Sequence, residues 1–213
     1  MGSTRGIAGA CLVGAGVSFW LAWFLMPLPG TTDASFILEQ VGAASGSVFV
    51  SVAVQMLCCV LFVPGLTGLL LAPQLRDSTG AFIGVSLAGV GVTGFAADAI
   101  YHLVAFEMSR PGLSREAMLP VMERLQSSDL VFIVPQLLAL VAGVAVLAAC
   151  AVRAGLAPRR VSRELWLALG LAAVGAAAVR ALGGGRRVVA LGVLALFSLA
   201  IAELGAALSR ARS

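Results

Sequence analysis

Asp98 and His102 are the residues of this chain best equipped for chemistry. They stand four apart in the stretch GVTGFAADAIYHLVAFE (91–107), and His102 is the only histidine in the sequence. On a helix that spacing puts both on one face. A carboxylate and an imidazole in contact titrate as one coupled unit and can hold or pass a proton. The surrounding stretch is apolar, and an Asp near a bilayer centre costs about 2.5–3.5 kcal/mol on insertion scales. Protonation, pairing with His102 or a wetted cavity lowers that cost. Counting back from Asp98 by helical spacings gives Gly94, Gly91 and Gly84 on nearly the same face. Small residues let helix backbones approach closely in a membrane, so the polar face is predicted to be the packed face.

The rest of the chain must supply helices for that face to meet. Its 213 residues are 60% hydrophobic and 11% charged, a balance that fits a polytopic membrane protein and no water-soluble domain of this length. The net charge of +4 is carried by arginine alone. The sequence has neither lysine nor asparagine, which reads as a GC-rich bacterial coding bias and excludes a Schiff-base lysine. Cys11, Cys58, Cys59 and Cys150 all lie in apolar runs without CxxC spacing and read as small hydrophobes. A single histidine excludes a bis-histidine haem within the chain. Glu107 would sit half a turn away from Asp98, so no metal site is expected. No GxSxG, P-loop or HExxH motif occurs, and no cofactor is expected.

The pattern predicts an all-α fold: a polytopic transmembrane helix bundle of six spans forming a single domain over 1–213. The spans are expected at about 7–26, 46–71, 80–106, 129–152, 165–182 and 188–208. Span one reads as a retained helix, too long for a signal-peptide core, closed by Pro27-Leu28-Pro29-Gly30. A short helix is expected near 35–41, and a kink at Pro64-Gly65. In the third loop Ser114 is expected to cap a short amphipathic helix with Met118, Val121, Met122 and Leu125 on one stripe. Ser128 is a candidate cap for span four, and Gly183–Gly185 for a tight hairpin.

Arginine counts orient the bundle. With the N-terminus inside, the inner side holds eight arginines, including Arg153, Arg159, Arg160 and Arg163 of the fourth loop, and the outer side six. This predicts a bacterial cytoplasmic (inner) membrane protein with both termini cytoplasmic. Those four arginines are expected to meet anionic lipid heads and not nucleic acid.

At about 1.5 Å of rise per residue, Asp98, Gln136 and Gln55 fall roughly 12, 10 and 13 Å below the outer face, with His102 and Tyr101 shallower. Gln55, Asp98, His102 and Gln136, with Tyr101 beside them, are therefore candidates for a polar pocket open outward and roofed by the third loop. A buried hydrogen-bond cluster that merely holds the bundle together is the competing reading.

Spans two to five, with Ala154-Gly-Leu-Ala-Pro-Arg159 between the fourth and fifth, resemble an uncharacterised bacterial family of six-span integral membrane proteins. The resemblance implies the architecture and carries no catalytic residue. The functional expectation is a binding, regulatory or assembly subunit that works in the lipid bilayer with a membrane-protein partner or a second copy. The alternative is an intramembrane enzyme or proton-coupled carrier using Asp98 and His102.

Overall fold

The computed structural model describes residues 2–27, 33–182 and 186–211. The helices in order are α1 (Gly2–Leu25), α2 (Ala34–Ala43), α3 (Ser45–Leu70), α4 (Thr79–Met108), α5 (Arg115–Arg153), α6 (Arg159–Leu182) and α7 (Arg186–Arg210). No strand occurs among the described residues. The expected Gly183–Gly185 hairpin and most of the Pro27–Gly30 turn lie outside them.

Local chemistry starts and stops these helices. The side chains of Asp33, Ser78 and Ser114 accept from the backbone N–H of Phe36, Ala81 and Ala117 at 3.1, 3.2 and 3.3 Å, capping α2, α4 and α5. Helix α5 ends at Arg153 and is followed by Gly155, whose φ of +69° suits glycine, and the N–H groups of Leu156 and Ala157 return to the Ala151 carbonyl.

Five described stretches are long and apolar enough to cross a bilayer: Thr4–Leu25, Ser45–Leu70, Thr79–Met108, Val131–Arg153 and Arg187–Arg210. The sixth expected span falls on α6, whose side chains are described chiefly in its first half. The expected kink does not interrupt α3, which runs through Pro64.

The third loop departs from expectation. The short amphipathic helix and span four are one 39-residue helix, α5. Polarity alone does not end a helix, and no glycine occurs from Leu113 to Ala142. Ser128 caps nothing; its hydroxyl donates to the Arg124 carbonyl inside α5 at 3.1 Å. The apolar crossing begins at Val131, which leaves Asp129 on the extension beyond it. Three residues of the expected stripe pack inside this rod, whereas Val121 is exposed. Met122 is fully buried, and Met118 and Leu125 pack with it against a small second core of Ile37, Leu38, Val41, Val48, Tyr101 and Ala105.

Neighbouring helices are antiparallel, and glycine sets how closely they meet. A Cβ on Gly91 would lie 2.3 Å from the Cα of Leu140, and one on Gly94 would lie 2.4 Å from the Cβ of Gln136. From the other side, a Cβ on Gly143 would lie 2.3 Å from the Ala88 nitrogen. The same device joins α1 to α7 through Gly9, Gly16 and Gly205, and α1 to α3 through Gly65 and Gly68. The α4–α5, α1–α7 and α1–α3 pairs are the most extensively packed. The main core runs between them, from Leu12 and Phe62 through Phe95 to Leu140 and Ile201. This arrangement puts both chain ends and the α5–α6 link at one end of the bundle, the terminal end. Helix α2 and the α4–α5 link lie at the far end.

Gly91→Ala forces backbone against backbone and is expected to cost about 1–3 kcal/mol, in the range of core overpacking. Gly89→Ala, where nothing lies within 4 Å of the new Cβ, leaves stability unchanged or slightly raised. Thermal unfolding of both variants in detergent checks the contrast.

Candidate functional site

Helices α3, α4 and α5 place polar side chains at one level in the far half of the bundle. Gln55 of α3 is 2% exposed and Asp98 of α4 is 6% exposed. The Gln55 amide Nε2 donates to Asp98 Oδ2 at 2.6 Å and to the Phe95 carbonyl at 3.2 Å. His102 Nδ1 lies 2.9 Å from the Asp98 carbonyl oxygen and 3.4 Å from Asp98 Oδ2. A carbonyl only accepts, so a hydrogen bond there puts a hydrogen on Nδ1 and leaves Nε2 as the acceptor of a neutral ring. Gln55, Asp98 and His102 thus come together as the sequence suggested.

Gln136 does not join them. Thr93 Oγ1 donates to Gln136 Oε1 at 3.1 Å, and the Gln136 side chain covers Gly94, one turn below Asp98. It closes the floor of the layer. Tyr101 points to the α5 extension, where its hydroxyl donates to Oε1 of Gln126, a residue 8% exposed.

Gln126, Asp129 and Trp23 were missed from sequence. The α5 stripe Gln126, Asp129, Ile133, Gln136, Leu140, Gly143 and Leu147 alternates steps of three and four, the signature of one face of one helix. Reading a break at Ser128 cut that stripe in two. Trp23, in the last turn of α1, sets its ring edge-on to His102 with centroids 6.3 Å apart. Its indole Nε1–H is buried and has no hydrogen-bond partner among the described residues, and neither has the buried Asp129 Oδ1.

The layer is therefore satisfied on its Gln55 side and unsatisfied around His102. Asp129, outside the apolar crossing, feels that environment. Its carboxyl is pushed up to about 6, first by burial and then by the charge of Asp98, with His102 pulling the other way.

No known protein family, curated protein or solved structure matches this chain.

Among the described residues no three His, Cys, Asp or Glu side chains converge as metal ligands. The four cysteines are free thiols. Cys58 and Cys59 donate to the carbonyls of Ala15 and Val92 at 3.2 and 3.7 Å, tying α3 to both its neighbours. At the terminal end Arg153, Arg159, Arg160 and Arg163 are all exposed. Arg160 is held by Glu203, Nε to Oε2 at 2.7 Å.

Asp129 carries a sign that can be measured. A carboxyl raised in the folded state binds more protons folded than unfolded between its unfolded pKa of 3.8 and about 6, so its contribution to stability falls as pH rises through that window and is flat above it. Asp129→Asn removes this penalty. The variant is expected to melt higher than wild type in detergent at pH 7.5 and to match it below pH 4. In the neighbouring pair, Tyr101→Phe leaves the Gln126 acceptor without its donor, at an expected cost of about 1–3 kcal/mol. The Tyr101→Phe/Gln126→Leu double variant costs less than the two single variants summed, as a double-mutant cycle reads.

Proposed function

We propose that the chain is a six-span membrane protein with a binding or regulatory role, and that the polar layer around Asp98 and His102 is where it recognises a small polar ligand or a partner. Helix α6 supplies the sixth crossing, in keeping with the six-span family that the Ala154–Arg159 link resembles. The arginine bias puts both termini and the α5–α6 link on the cytoplasmic side of a bacterial inner membrane. The polar layer then belongs to the outer half, under the extension of α5.

The observation that carries the reading is the one-sided satisfaction of the layer. Asp98 Oδ2 accepts from Gln55 and lies 3.4 Å from His102 Nδ1, whereas the Trp23 donor and one Asp129 acceptor, both buried, have no hydrogen-bond partner among the described residues. Buried polar atoms are nearly always bonded, so a donor and an acceptor left over beside one imidazole suit an incoming group that can both accept and donate. The recognised group is not an anion, because Asp98 and Asp129 would repel one. A role as a subunit of a larger membrane assembly, with another protein or a second copy, uses the same surface.

A second reading rests on a different observation. Asp98, His102 and Asp129 form a run of titratable groups from the buried layer to the α5 extension, which is the chemistry a proton-coupled carrier or an intramembrane acid–base enzyme uses.

Asp98→Asn and His102→Gln, unfolded thermally in detergent from pH 4 to 9, test the main reading. A group retained for function is retained at a stability cost, so both variants are expected to be neutral or stabilised. Strong destabilisation by both makes the cluster structural glue and sinks the proposal.

A further inference from the structure

A second polar concavity lies at the opposite end of the bundle, and nothing in the far-end layer accounts for it. Gln74 of the α3–α4 link, Gly155, Leu156 and Pro158 of the α5–α6 link, Arg160, and Ala207 and Arg210 of α7 line a cleft of about 480 Å³. We propose that this cleft holds the phosphate of an anionic phospholipid headgroup at the membrane surface.

The charges favour an anion. Arg160 spends its Nε on Glu203, which fixes the plane of the guanidinium and leaves its Nη donors without a hydrogen bond among the described residues. Arg210, in the last turn of α7, makes no ion pair among the described residues. Glu203 is paired with Arg160, so among the described lining residues Arg210 is a charge without an ion pair. Around the rim Arg153, Arg159 and Arg163 outnumber Glu164, and Asp77 is already held by Arg76 at 3.3 Å. Guanidinium forks match the oxygens of a phosphate, and Gln74 adds an amide donor from a third segment.

Position favours a lipid over a free ion. The cleft opens where the apolar stretches Val131–Arg153 and Arg187–Arg210 end, the level at which headgroups sit. Leu156 and Ala207 give its floor an apolar edge continuous with the main core. The sequence pointed to four arginines of one link as lipid contacts. The structure instead pairs one of them, Arg160, with Arg210 from the other end of the chain, and leaves Arg153, Arg159 and Arg163 outside the cleft.

The test is the shift in thermal unfolding midpoint when phosphatidylglycerol is added to the full chain in neutral detergent micelles. Phosphatidylcholine and inorganic phosphate are run in parallel. The expected result is a rise with phosphatidylglycerol that phosphatidylcholine does not reproduce, falling by more than half in Arg210→Gln and in Gln74→Glu. Arg110→Gln, whose side chain lies at the far end with Glu107, keeps the full shift. Because the readout is the lipid-induced shift of each variant against itself, a lower starting stability does not mimic the result. An equal shift in wild type, Arg210→Gln and Gln74→Glu overturns the proposal, as does no shift in wild type. A shift produced in full by inorganic phosphate and lost in Arg210→Gln keeps the phosphate site and overturns the lipid as its occupant.

Discussion

The contact between α4 and α5 is the constraint on which the rest of the structure depends. Inside a bilayer, burial of apolar surface does not drive helices together, because lipid tails are as apolar as leucine. What remains is dispersion between surfaces that fit, and that gain falls steeply with separation. Gly84, Gly91 and Gly94 on one helix and Gly143 on the other remove the side chains that would hold the backbones apart. Asp98 follows Gly94 by one turn on this seam. The seam therefore does two things at once: it earns the packing of the hairpin, and it keeps a carboxylate off the lipid.

The polar layer is an extension of the same geometry. Beyond the glycines the facing positions enlarge to Tyr101 and Gln126, and side-chain hydrogen bonds, Thr93 to Gln136 and Tyr101 to Gln126, join the two helices. The α5 extension then packs Met122 onto α2 and covers the layer. At the terminal end the polar chemistry is of another kind. It lies at the ends of the helices, is dominated by arginine, and belongs to the interface and not to the interior.

Much of this was legible in the sequence because membrane helices are written in long apolar runs. Five of the six expected apolar spans, the glycine face of α4 and the meeting of Gln55 with Asp98 follow from periodicity and depth alone. The depth estimate put Gln136 at the right level, but level does not give direction around the helix axis, and Gln136 turns to Thr93. The third loop was misread for a physical reason. A polar segment reads as a connection, whereas Arg115–Ser128 has the composition of a soluble amphipathic helix and lacks a glycine to stop it. Asp129 and Gln126 were lost with that break. Trp23 was not legible as part of the layer, since nothing in one sequence shows that the end of α1 lies against the His102 ring.

The bond between Gln55 and Asp98 bears on the order in which the chain enters a membrane. The donor precedes the acceptor by 43 residues, and only a short link separates their helices. Synthesis runs from the N-terminus, so α3 is already complete when Asp98 emerges, and its amide is waiting at the matching depth. His102 follows within one turn. The carboxylate therefore need never face lipid unaccompanied, and α3 and α4 are suited to insert as one hairpin. The chain has placed the neutral partner first and the ionisable one second, which lets the difficult residue arrive with its environment already built.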